Sequence, residues 1–305
     1  MQAARAKQAA AKAEEQTAFD AVRRKYLNEL YTITGRNIIA YYSGFLSKPD
    51  SPLLDINDED KNGFMMAVHK LNRRRGLDLI LHTPGGSIGA TQSIVRYLHQ
   101  MFDGDIRAIV PQIAMSAGTM IACSCREIFL AKHSNLGPID PHVDSYPAYG
   151  IISEFDKALK QCKSEPAALP LWQSIIGQYS PTLIERCENA ISWSNAFVKR
   201  QLECVMFKDL PLKVKKRKAA RVVGKLTDFR GNKTHDRHIQ FEECESIGLI
   251  VKRIESDERF QDLVLTVHHC YMHSLMNTGS VKIIENQDGV AFIKQQIVQQ
   301  VPVSG

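Results

Sequence analysis

The period of apolar and polar positions changes several times along the chain, and each change marks an element. The run Ile38-Ile39-Ala40-Tyr41-Tyr42 closes at Ser43-Gly44 and predicts a first buried strand. After the acidic turn Asp58-Glu59-Asp60, Phe64, Val68 and Leu71 recur at helical spacing, and the carboxylates suit a helix N-terminus. Leu77 to Leu81 predicts a short buried strand. Pro84-Gly85-Gly86-Ser87 turns that strand into a helix carrying Ile88, Ile94, Val95, Leu98, Met101 and Phe102. The unit repeats at once, with a strand over Ile106 to Val110, a turn at Pro111-Gln112 and a helix of small residues from near Ser116. Glu127 to Ala131 supplies a further strand. This alternation predicts an α/β architecture with a largely parallel sheet.

The second half is mainly helical. Ser180-Pro181 reads as a cap and first-turn pair opening a long amphipathic segment through Phe207. A helix over Phe241 to Ile247 stops at Gly248, Leu249-Ile250-Val251 predicts a short strand, and residues 257 to 275 predict a helix. The tail from Gly279 is weakly patterned. Residues 1 to 25 are rich in Ala, Lys, Gln, Glu and Arg without a sustained apolar stripe. They predict a helical extension that fits no core by itself and is mobile or used in assembly. The chain thus divides into a helical extension over 1–35, a core over 36–256, and a C-terminal helix and tail over 257–305.

Composition narrows the class. With 305 residues, 44% apolar and 24% charged, the chain can bury a sizeable core and is neither disordered nor collagenous. From Ala108 to Cys125 there are 18 consecutive uncharged residues, long enough to suggest a membrane span. Pro111, Gln112, Ser116, Gly118, Thr119 and Ser124 break that stretch, so a buried strand, turn and helix fit better. Seven cysteines, an odd number in a long chain with no apolar segment at its N-terminus, argue against a disulfide framework and for a reducing cytoplasm, and no pairs stand at zinc-ribbon spacing. The net charge of +6 is concentrated in Arg73-Arg74-Arg75 and in a run from Lys213 to Arg221. Such a run is first of all a solvated helix face. Contact with an anionic membrane surface is the competing reading, and nucleic acid is not expected.

Two glycine-bearing turns, each leaving a strand and entering a helix, would gather backbone N–H groups at one edge of the sheet, where α/β sites collect. At Gly85-Gly86 a substrate carbonyl can approach the backbone, and at Ser116-Ala117-Gly118 a hydroxyl sits at a helix start. A nucleophile beside an oxyanion hole is what acyl transfer requires. From the residues alone the bland reading competes, because Pro-Gly-Gly is a common turn and serine a common cap. A phosphate loop is weakly supported, since Gly85-Gly86-Ser87-Ile88-Gly89 lacks the Gly-Lys-Ser/Thr ending.

Taken in order, His82-Thr-Pro-Gly-Gly86, Met115-Ser-Ala-Gly-Thr-Met120 and Ser134-Asn-Leu-Gly-Pro-Ile-Asp-Pro141 resemble the motifs of the serine dehydrogenase proteinase family. That family is a branch of the Clp protease and signal peptide peptidase A superfamily. The likeness runs from about Arg23 to Gln295. It implies a Clp/crotonase-like fold and a serine peptidase; no cofactor and no metal are expected. It also implies Ser116 as nucleophile, with the N–H groups of Gly86 and Ala117 as oxyanion hole. Peptide or protein is the implied substrate, taken as an extended strand, and a homo-oligomer the implied assembly.

The base is where the chain departs from its relatives, because near the Clp catalytic histidine it reads Ile139-Asp140. Three alternatives follow. His235 or His238, in Thr234-His-Asp-Arg-His238, would act with Asp140 orienting it. Lys157 would serve as in signal peptide peptidases if burial lowers its pKa. Or there is no base, and the protein is a non-catalytic assembly or membrane-surface module. His82 is expected to steady the glycine turn. His269 and His273 are an i, i+4 pair, but no His-Glu-x-x-His pattern accompanies them.

Overall fold

The computed structural model describes residues 2–144, 146–228, 231 and 236–296. In chain order the elements are α1 (Gln2–Thr34), β1 (Asn37–Ser43), α2 (Asp60–Val68), β2 (Leu77–His82), α3 (Ile88–Phe102), β3 (Ile106–Val110), β4 (Ile113–Ala114), α4 (Ala117–Cys123), β5 (Ile128–Leu130) and β6 (Asn135–Leu136). There follow β7 (His142–Val143), β8 (Tyr146–Pro147), α5 (Ala148–Ser164), α6 (Leu169–Ile176), α7 (Leu183–Gln201), α8 (Leu212–Leu226), α9 (Phe241–Ile247), β9 (Val251–Arg253), α10 (Glu258–Asn277), β10 (Ser280–Asn286) and β11 (Ala291–Gln295).

One central sheet has the order β11-β10-β1-β2-β3-β5-β9. From β1 to β9 its neighbours run parallel, while β10 and β11 are antiparallel at one side. Strand residues alternate between two cores, as a period of two demands. Ile39, Tyr41, Leu79, Leu81, Ala108, Val110 and Leu130 face α2, α3, α4, α7 and α8. Ile38, Ala40, Tyr42, Ile80, Ile109 and Ile283 face α1 and α10. The α/β class and the mostly parallel sheet are as the sequence predicts, and the uncharged window from Ala108 is β3, β4 and α4. Among the described residues no helix is long and apolar enough to cross a membrane.

Three elements differ from the sequence reading. The end of α1 packs as core: Leu27, Leu30 and even Arg23 are fully buried against α10 and the sheet. The weakly patterned tail contains β10, a strand buried along its whole length beside β1. Its pattern is obscured because Lys282, Glu285 and Asn286 sit inside, each with hydrogen-bond partners. The strand expected at 249–251 lies at Val251–Arg253, because Leu249 fills the core beside Cys244 and Ile247 instead.

Candidate active site

The segments leaving β2 and β3 run side by side. Thr83 N donates to Ile113 O at 3.1 Å, and Met115 N donates to Thr83 O at 3.0 Å. Gly85 and Gly86 then adopt φ of 112° and 147°, which side-chain-bearing residues rarely reach. Space requires glycine as well. A Cβ on Gly86 would lie 2.4 Å from Ile56 N, and one on Gly85 would lie 2.8 Å from Ser116 Cβ. The turn is therefore wedged between the 55–57 segment and Ser116.

Ser116 joins β4 to α4 with φ 48° and ψ −113°. A backbone conformation of this kind costs about 1–3 kcal/mol and persists where its surroundings enforce it. The enforcement is visible. Thr119 Oγ1 donates to Ala114 O at 2.8 Å and accepts from Gly137 N at 2.9 Å. Gly118 lies so close to β2 that a Cβ there would meet Thr83 Cγ2 at 2.5 Å. The Ser116 side chain makes no capping hydrogen bond, although its carbonyl accepts from Met120 N at 3.0 Å. The common role of a helix-start serine is thus not the one it plays. Among the described residues, the N–H groups of Gly86 and Ala117 donate to no protein acceptor.

A cleft of about 640 Å³ opens over Ser116, walled by Gly86, Ser87, Ile88, Met120, Pro141, His142, Asp55 and Trp193. Of the residues expected in the site, Ser116 and Gly86 line it and Ala117 is buried directly beneath. Asp140 is buried beside the lining residue Pro141. Leu136 and Ile239 exchange backbone hydrogen bonds of 3.0 and 2.9 Å, which lays the stretch holding Asp236 and His238 along the chain leading to Asp140. His238 itself is exposed and does not line the cleft, and His235 lies outside the described residues. Lys157 stands exposed on α5 away from the lining, without the burial that a lysine base requires. Among the described residues, His142 is the imidazole that lines the cleft with Ser116. The sequence reading passes over it, for nothing local says that the chain beyond Asp140 folds back across the site.

His82 is placed differently from expectation. Its ring lies among Tyr42, Phe45 and His268, at centroid distances of 5.4, 5.0 and 5.3 Å, on the α1–α10 side of the sheet. Among the described residues neither ring nitrogen has a hydrogen-bond partner, so it does not tie down the glycine turn. Burial, and then the neighbouring His268, pushes its pKa down to about 3. No three His, Cys, Asp or Glu side chains gather as a metal cluster among the described residues. The basic run lies along α8, where Ala219, Val222, Val223 and Leu226 are buried and Lys213, Lys216, Arg217 and Arg221 are exposed.

Two proteins from Methanocaldococcus jannaschii, both described as uncharacterized, are similar to this chain in sequence. One is 31% identical over 229 residues, covering 75% of this chain and 70% of its own length. The other is 27% identical over 196 residues, covering 64% of this chain and 59% of its own. A model of the ClpP-like SDH-type serine proteinases matches residues 9–171, a span holding the glycine turn, Ser116 and His142. With the fold and the cleft, that match makes the chain a member of the ClpP-like SDH-type serine proteinase family.

Proposed function

We propose that the protein is a serine peptidase that cleaves extended polypeptides in the cleft over Ser116. The observation that carries this reading is the strained Ser116, whose hydroxyl serves no cap and opens on a cleft beside the N–H groups of Gly86 and Ala117. Ser116 Oγ adds to the scissile carbonyl carbon while its proton passes to a base. The carbonyl oxygen, now an oxyanion, accepts from the Gly86 and Ala117 N–H groups. Collapse expels the amine, which takes the proton from the base, and water then releases the acyl group by the same path in reverse.

His142 is the base in this reading, because it lines the cleft with Ser116 whereas His238 and Lys157 do not. Substrate adds to the cleft as a strand, held by main-chain hydrogen bonds, and a homo-oligomer encloses the sites. The test is fluorophosphonate labelling with peptide hydrolysis in parallel. Wild type is labelled and Ser116→Ala is not; labelling that survives Ser116→Ala sinks the nucleophile. Among His142→Ala, His235→Ala, His238→Ala and Lys157→Ala, only the first lowers turnover by about 10²–10⁴-fold. Loss confined to another of the four reassigns the base.

A further inference from the structure

A second group of side chains bears on the glycine turn without entering the cleft. Ile56 N donates to Gly85 O at 2.7 Å, and Ser87 N donates to Ile56 O at 2.9 Å, so the 55–57 segment forms one wall that holds Gly86 in place. That segment belongs to no helix or strand and is held from behind. Lys282 Nζ, fully buried on β10, donates to Asp55 O at 2.7 Å and to both carboxylate oxygens of Asp60, at 3.0 and 2.9 Å. Asp60 Oδ2 also accepts from Asn57 N at 3.1 Å and from the Tyr41 hydroxyl at 2.8 Å. Lys294 approaches the same carboxylate at 3.4 Å. Tyr41, Asp60 and Lys282 come from three separate elements; Lys282 and Asp60 bond Asp55 and Asn57 directly, and Tyr41 bonds Asp60.

We propose that Lys282, Asp60 and Tyr41 are positioning residues for the oxyanion hole, holding the Asp55–Asn57 segment so that Gly86 keeps its N–H in the catalytic orientation. The proposal rests on the reading of Ser116 and Gly86 as catalytic. Its physical basis is that a buried ion pair has well-defined geometry only while both partners and their hydrogen bonds are present. An oxyanion donor displaced by a fraction of an ångström loses much of its effect. None of the three lines the cleft, so their loss acts on the rate of acylation more than on substrate binding.

The experiment compares four proteins: wild type, the paired variant Lys282→Met with Asp60→Asn, Tyr41→Phe, and Tyr271→Phe. The paired variant removes both charges, so neither is stranded. Tyr271→Phe is the control, because Tyr271 donates to the buried Glu285 at 2.9 Å on the opposite face of the sheet. For each, the second-order rate of fluorophosphonate labelling at Ser116 is measured with kcat and KM for a peptide. The paired variant should be labelled and turned over at least tenfold more slowly, with a smaller change in KM. Tyr41→Phe should lose about two- to fivefold in kcat, and Tyr271→Phe nothing. If the paired variant does not fold, Tyr41→Phe against Tyr271→Phe decides the matter. Clamp variants labelled at the wild-type rate overturn the proposal while leaving Ser116 as nucleophile. A wild type that is not labelled at all overturns the underlying reading, and this proposal with it.

Discussion

Strand β10 carries two buried charges that point to opposite faces of one sheet. Lys282 meets Asp60 and Tyr41 behind the glycine turn. Glu285 meets Arg23 at 3.0 Å, Arg24 at 2.9 Å and Tyr271 at 2.9 Å, joining β10 to α1 and α10. In each cluster a fully buried carboxylate accepts from a cation and a phenol. The effects on the phenols are alike: burial, and then the adjacent carboxylate, pushes both Tyr41 and Tyr271 well above the usual range. The difference lies in what each cluster holds. One fixes a loop that touches the candidate oxyanion hole, and the other fixes two helices that touch no part of the cleft. On the proposed reading, like chemistry on one strand serves catalysis on one face and stability on the other, and the clusters are told apart by what lies next to them.

The largest expected effect sets the scale of the comparison. Ser116→Ala should lower peptide hydrolysis by about 10³-fold or more and leave the urea midpoint near that of wild type, since no hydrogen bond of its side chain caps α4. A large loss of stability in that variant would mean that the hydroxyl is structural after all.

Next comes Glu285→Ala, which takes from Arg23, at 0% exposure, its fully buried carboxylate partner and leaves it the partly exposed Asp20 at 2.9 Å. Removing one partner of a buried pair costs about 3–5 kcal/mol, measurable by urea denaturation, and kcat should not change. A drop in kcat without loss of stability would erase the proposed division between the two faces.

Acid should act on the α1–α10 face first. His82 and His268 are buried there, and burial, followed by neighbouring imidazoles, pushes their pKa values down to about 3 and about 4. The unfolded chain takes up protons near pH 6.5, whereas the folded chain does not. Stability is thus fully present above about pH 6.5 and is lost as pH falls toward the folded values. Two such groups give a slope of up to about 2.7 kcal/mol per pH unit. Urea midpoints at successive pH values should show it, and His82→Phe should roughly halve it; an unchanged slope would contradict the assignment.

The smallest effect is the most discriminating. Tyr41→Phe and Tyr271→Phe each delete one hydrogen bond to a buried carboxylate, at 2.8 and 2.9 Å. Each should cost about 1.5–3 kcal/mol of stability. Equal stability losses with a kcat decrease in Tyr41→Phe alone would sharpen the contrast between the faces, and equal kcat values would dissolve it.

The sequence by itself determined the parallel units from Ile38 to Leu130, because each strand there is an apolar run closed by a turn and each helix repeats at its own period. It also made the glycine turn and the helix start at Ser116 legible as local motifs, although the space that demands glycine there is set by Ile56, Ser116 and Thr83. Three features were decided only in tertiary structure. Strand β10 could not be read, since Lys282, Glu285 and Asn286 look like surface residues until Asp60, Arg23 and the Ala67 carbonyl, all distant in sequence, are seen to receive them. The docking of Arg23, Leu27 and Leu30 depended on α10 supplying the other half of a core. The entry of His142 into the cleft depended on the path of the chain past Asp140. Periodicity reports which face of an element is apolar, but a buried charge is stable only beside a partner that the fold brings from elsewhere, and no local pattern records that partner.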